Sequence, residues 1–179
     1  VLFIDDDAIA HKEWVERYVK FFSANENAGG AGGITYPGYL SDGKTKLTGM
    51  THPETFTRGG PHRVPLKLYE GYCEWISKSG FRGNKPCDSP IILSAHLGGA
   101  NMAWRRDAIE RCPLSEAFRK SRLGFSFEPF LALCSRMRGY DTYKLRDPNE
   151  APIVWHLQHT DSLTRRPGFW KEFCCITIM

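Results

Sequence analysis

The chain opens on four apolar residues in a row, Val1, Leu2, Phe3 and Ile4, a run that predicts a strand buried on both faces of a parallel or mixed sheet. Over residues 11–24, Trp14, Val15, Tyr18, Val19 and Phe22 fall on one helical face, with Glu13, Glu16, Arg17 and Lys20 on the others. That spacing predicts an amphipathic helix. A glycine-rich stretch at 29–33 leads into Ile34, Thr35 and Tyr36, where glycine lets the backbone turn or approach a neighbour closely ahead of the next strand. Strand, helix and strand in this order predict an α/β fold.

Residues 37–90 are rich in Gly, Pro, Lys and Thr, and only 66–79 show a weak helical spacing through Leu68, Tyr72, Trp75 and Ile76. The region reads as an insertion or a substrate-facing loop region. A strand is predicted again at 91–95, a close glycine-marked approach at 98–104, and a short helix at 106–111. Residues 126–138 predict the second clear helix, with Pro129 in its first turn, an apolar face of Phe130, Leu133, Cys134 and Met137, and Gly139 as its C-terminal cap. Arg136 and Arg138 suit the negative end of its dipole. Strands at 140–145 and 152–155 complete the pattern, with no internal repeat.

Composition narrows the classes. The 179 residues are 41% hydrophobic and 13% aromatic, enough for one domain with a core and against global disorder. A net charge of +4 is too small for a dedicated nucleic-acid binder. No run approaches the roughly 20 apolar residues needed to cross a bilayer, and no basic start with a cleavage site marks a secretory signal. The apolar start at Val1 and the apolar end at Ile176, Ile178 and Met179 predict truncation at both ends, leaving open a membrane anchor beyond Met179. The six cysteines include no C-x-x-C pair, and Cys174 and Cys175 are adjacent. They read as buried or free thiols of a reducing compartment, hence cytoplasmic, with isolated disulfides left open by the even count.

Asp5, Asp6 and Asp7 follow the first strand directly, and α/β sheets bind ligands at the carboxyl ends of their strands. In an extended segment Asp5 and Asp7 share a face while Asp6 points elsewhere, so two hard oxygen donors can approach one divalent cation. Mn²⁺ or Mg²⁺ with a diphosphate suits such a pair; a polar turn ahead of a helix uses the same residues. Glu128, at a helix start, is held ionised by the unpaired N–H groups there and is a candidate base. His156 and His159 follow the last strand, and a neutral imidazole can ligate Mn²⁺. Arg165 and Arg166 can pair with phosphate or form a solvated basic turn. His11, His52, His62 and His96 carry no pattern.

Residues 1–7 (VLFIDDD), 98–106 (GGANMAWRR), 127–140 (FEPFLALCSRMRGY) and 154–156 (VWH) resemble, in order, the blocks of family 2 glycosyltransferases of the GT-A fold. The match spans most of the chain apart from the insertion at 37–90. It implies a single partial domain over 1–179, a GT-A-like, Rossmann-related mixed sheet flanked by helices. The first nucleotide-binding units of the fold would precede Val1, so the chain alone should bind nucleotide-sugar poorly; submicromolar binding by calorimetry would overturn this. The resemblance places a metal on Asp5 and Asp7, with His156 closing the metal or diphosphate site and Asp6 beside the nucleotide-sugar. Gly99, Ala100 and Asn101 become donor-binding candidates, and Trp104 and Arg105 acceptor-binding ones. Counting back from Gly139 and Tyr140 aligns Glu128 with the second acid of the family's Glu-Asp pair, the base for the acceptor hydroxyl, whereas Phe127 replaces the first.

The implied activity is inverting transfer of a sugar from a nucleotide-sugar donor to a saccharide or lipid-linked acceptor, assisted by Mn²⁺ or Mg²⁺. Cell-surface polysaccharide or glycolipid synthesis at the inner face of the membrane is the typical setting, with Phe169, Trp170 and Phe173 near lipid or in the core. Phe127 leaves open a non-catalytic carbohydrate- or nucleotide-binding module. The pair Asp5 and Glu128 leaves open a glycoside hydrolase.

Overall fold

The computed structural model describes residues 1–41, 44–49, 64–78, 80–117 and 127–158. Two mixed sheets organise them. The central one contains β1 (Leu2–Phe3), β3 (Ala28–Gly32), β8 (Ile91–Leu93), β9 (Met102–Trp104) and β10 (Asp141–Leu145) in the order β1-β9-β3-β10-β8. Only β3 and β10 run parallel in it. The second sheet contains β2 (Ala8–Ala10), β4 (Ile34–Ser41), β5 (Lys44–Leu47) and β11 (Ile153–Gln158) in the order β2-β11-β4-β5, with β11 and β4 parallel. A hairpin of β6 (Glu74–Ile76) and β7 (Arg82–Asn84) stands beside them. The helices are α1 (Trp14–Ala24), α2 (Arg106–Ile109), α3 (Leu114–Ala117) and α4 (Phe127–Met137). The α/β class expected from the pattern is therefore present, with mixed sheets and few helices.

The two sheets share their strand-forming segments. The chain passes from β3 to β4 through Gly33, and β10 and β11 repeat the passage beside them. At this joint Gly33 N–H donates to Asn101 C=O at 3.2 Å, and Ile34 N–H donates to Pro152 C=O at 2.8 Å. A Cβ at Gly33 would lie 2.0 Å from that Pro152 oxygen, so only glycine lets the two segments come this close.

Several expectations change. The first strand is not buried on both faces: it pairs with β9 at the sheet's edge, and Val1, Leu2 and Ile4 are exposed. The glycines at 29–33 do not merely precede a strand; Ala28–Gly32 is itself the buried middle strand. Trp104 explains this choice, because its ring covers Gly30 so closely that a Cβ there would come within 2.5 Å of it. In α1 the buried face is Trp14, Tyr18 and Phe21, whereas Val15 and Val19 face outward. The packing of Trp14 and Tyr18 on Asn101 fixes that rotation.

The helical spacing at 66–79 is overridden. Its residues form a 3₁₀ turn at Lys67–Tyr69 and then β6, because the backbone beyond Tyr72 pairs with the chain after Ile92: Cys73 N–H donates to Leu93 C=O, and Ala95 N–H to Glu74 C=O. Thus β4, β5, β6 and β7 give sheet structure to parts of the expected loop region. In α4 the buried face is Leu131, Ala132 and Ser135, and Met137 is 74% exposed. Gly139 does cap it, with φ +88°. The free-thiol expectation is corrected as well, since Cys73 is bonded to Cys87 and Cys112 to Cys134. Among the described residues no helix is long and apolar enough to cross a membrane. Ser126, His52, His62, His159, Arg165, Arg166, Phe169, Trp170, Phe173, Cys174 and Cys175 lie outside the described residues.

Candidate active site

β1 ends at Phe3, and the chain turns at once, Ala8 N–H donating to Asp5 C=O at 3.1 Å. The turn carries the chain from the edge of the central sheet to the edge of the second. There β2 pairs antiparallel with β11, setting His156 opposite Ala8, and Leu157 N–H donates to Asp7 C=O at 2.8 Å. The ladder fixes the His156 ring beside the acidic turn: Nε2 lies 2.9 Å from Asp7 Oδ1 and 3.6 Å from Asp5 Oδ2. One ligand atom from each of Asp5, Asp7 and His156 falls within 4.8 Å of the others. Asp6 is exposed and outside this group. Asp5 is pushed above the usual carboxylate range by partial burial first; His156 opposes the shift, and the charges of Asp7 and Asp6 add to it.

Glu128 stands in the first turn of α4. The Phe127 ring contacts that of Phe3, with centroids 6.1 Å apart, so the helix start is packed on the strand that leads into Asp5. On its other side the Glu128 carboxylate lies against Gly99, where a Cβ would sit 2.5 Å from Oε1. The expectation that the helix start holds Glu128 ionised is corrected: burial pushes its carboxyl above its ordinary value, the backbone N–H at the helix start opposes the shift only in part, and the Asp5 charge adds to it. Four chain segments thus meet: the 5–8 turn, Gly99, the start of α4 and β11.

The rest of the 98–105 block does not join them. The Asn101 carboxamide is buried, and all four of its hydrogen-bonding positions are used. Trp14 Nε1 and Tyr18 OH both donate to Oδ1, at 2.7 and 2.8 Å, and Nδ2 donates to Ile34 C=O and Pro152 C=O, at 2.8 and 2.9 Å. This side chain ties α1 to the joint between the sheets and has no capacity left for a donor sugar. Trp104 is buried and donates its Nε1–H to Met102 Sδ. Arg105 donates to the carbonyls of Ala28, Phe22 and Asn25, with its guanidinium 5.4 Å from the Phe22 ring centroid. Trp104 is closed off from solvent, and Arg105 is engaged with the backbone at the end of α1 and the start of β3. Ala100 is half-buried between Gly99 and Asn101. The sequence reading missed Phe3 as Phe127's partner, for a ring in an apolar run gives no signal of what it will meet.

The donor set is two carboxylates and one imidazole nitrogen, half-exposed. Oxygen donors with one nitrogen suit Mn²⁺ and accommodate Mg²⁺, and the open side leaves room for water or phosphate oxygens to complete a shell. Glu128 adds a partly desolvated carboxyl able to accept a proton. No model of a known protein family matches the chain, and no curated protein matches it.

Proposed function

We propose that the chain carries the metal-binding and base residues of an inverting, metal-assisted glycosyltransferase of the GT-A type, moving a sugar from a nucleotide-sugar to a hydroxyl acceptor. The observation that supports this most is the gathering of Asp5, Asp7 and His156, with Glu128 at the start of a helix that packs through Phe127 on Phe3 of the preceding strand. An α/β fold of mixed sheets, with the acidic turn directly after a strand, is in keeping with it. The reading joins this geometry to the four ordered sequence blocks.

Asp5, Asp7 and His156 would hold Mn²⁺ or Mg²⁺. When bound, such an ion supplies charge neutralisation for a diphosphate leaving group. Glu128 takes the proton from the acceptor hydroxyl as that oxygen bonds to the anomeric carbon, while the bond from that carbon to the diphosphate breaks on the opposite face. Burial serves this role, because a base whose pKa lies nearer the working pH takes up a proton more effectively. The two disulfides remove the ground for a reducing compartment and fit an oxidising one better.

Release of nucleoside diphosphate by the full-length protein tests the reading, using a panel of nucleotide-sugars with and without Mn²⁺. The expected result is Mn²⁺-dependent release with one donor, lost in Asp7→Ala. No release from any donor by the folded protein would contradict it.

A further inference from the structure

Gly99 is a glycine whose need the backbone does not explain. The described glycines with positive φ are Gly71, Gly80 and Gly139; Gly99 is not among them, so an L-residue meets no conformational barrier there. What a side chain there would displace is the Glu128 carboxylate: a Cβ on Gly99 would lie 2.5 Å from Oε1, 3.5 Å from Cδ and 3.8 Å from Cγ. At the neighbouring Gly98 a Cβ would meet nothing within 4 Å. The constraint belongs to one position and one side chain.

The surface that Gly99 offers is also held rigidly. Asn101 N–H donates to Gly98 C=O at 3.0 Å, closing the turn that contains Gly99. The saturated Asn101 carboxamide then fixes that turn to α1 and to both segments at the sheet joint. From the opposite direction the contact of Phe127 with Phe3 fixes the start of α4. The Glu128 carboxylate is therefore confined between two anchored walls, with Asp5 close enough to raise its pKa.

We propose that Gly99 is a positioning residue for Glu128: its bare α-carbon is the seat that aims the Glu128 carboxylate at the acceptor hydroxyl. The inference rests on Glu128 being the base. The atom a methyl would displace is the far end of a flexible side chain, so Gly99→Ala yields by moving the carboxylate and leaves the backbone in place. A misplacement of about 1 Å at a reacting group costs on the order of 100-fold in rate.

The test is a double-mutant cycle in the full-length protein. Gly99→Ala should lower kcat about 100-fold while the donor KM and Mn²⁺ affinity stay within about 2-fold and Tm within about 2 °C. Glu128→Asp is impaired by its shorter reach, but its carboxylate clears the methyl. Adding Gly99→Ala to Glu128→Asp should therefore cost less than about 3-fold more, a strongly non-additive result. A wild-type kcat in Gly99→Ala, or the same 100-fold loss in both backgrounds, would overturn the proposal while leaving the transferase reading intact. Loss of folding in Gly99→Ala would also overturn it, since it would mean that the backbone and not the carboxylate gives way. A crystal structure of Gly99→Ala supplies a readout that needs no turnover. The proposal expects the Glu128 carboxylate displaced by about 1 Å, and an unmoved carboxylate contradicts it even if no donor is ever found.

Discussion

Two groups of carboxyls are buried to different ends: one is matched by cations and ends below its ordinary pKa, the other meets further carboxylates and ends above it. In the first, Glu74 is 5% exposed. Its Oε1 accepts from Arg82 Nη2 at 2.7 Å and Lys144 Nζ at 3.3 Å, and its Oε2 accepts from the Ser94 hydroxyl. Burial alone would raise its pKa, yet the Lys144 charge, the Ser94 hydroxyl and Arg82 together hold it below the ordinary value. In the second, Asp5 and Asp7 gather at His156, and burial pushes Asp5 and Glu128 upward with help from neighbouring carboxylates. A carboxylate matched by cations ties the β6–β7 hairpin to β10. Carboxylates gathered against one another at a partly exposed site are held at a cost in stability, which is what a site that must receive a cation and a proton requires.

Changing one member of each cluster separates the two roles. The largest effect is expected from Glu128→Gln, which should lower kcat/KM by about 10²–10⁴-fold with Tm unchanged or slightly raised, read by nucleotide release and a thermal melt. The pH dependence of stability comes next. Burial pushes His96 down to about 4, so as pH falls from its ordinary 6.5 the unfolded chain binds a proton that the native ring refuses. Stability should drop over that window by up to about 3 kcal/mol, and Glu74 extends the loss as pH falls below its ordinary 4.5. The raised carboxyls Asp5 and Glu128 carry the opposite sign, their stabilising contribution being lost as pH rises through their folded pKa values. Urea unfolding at pH 4, 5, 6 and 7 reads the slope, which His96→Gln should flatten.

Glu74→Gln should cost about 2 kcal/mol, less than breaking a fully buried pair because the Arg82 side chain is 53% exposed, and should leave turnover of the folded protein unchanged. The smallest effect belongs to Asp5→Asn. It relieves repulsion from Asp7 and Asp6 and should raise the metal-free stability by a few tenths of a kcal/mol, while abolishing any stabilisation by Mn²⁺ measured as a Tm shift. A fall in metal-free stability would break the contrast between the clusters.

What the sequence made legible follows the range of the interactions. The placement of Asp5 and Asp7 just after a strand and of Glu128 at a helix start was legible because these are local patterns, whereas His156, expected after the last strand, lies inside β11. Asn101, Trp104 and Arg105 share a motif with Gly99 and yet belong to the core. Their partners are Trp14, Tyr18, Ile34 and Pro152 for Asn101, and Phe22, Asn25 and Ala28 for Arg105, which no spacing within residues 98–105 reveals. β3 was hidden for the same reason: five small residues have poor strand propensity, and only the ring of Trp104 over Gly30 makes them the right ones. The bond between Cys112 and Cys134 depends on how α2 packs against α4, not on a cysteine motif.

The most direct test of the Asp5, Asp7 and His156 cluster as a site is a Mn²⁺ titration followed by electron paramagnetic resonance on the full-length protein, beside Asp7→Asn and Glu74→Gln. The account predicts one bound Mn²⁺ that is lost in Asp7→Asn and kept in Glu74→Gln. Equal binding by the wild type and Asp7→Asn, or none by either folded protein, would contradict it.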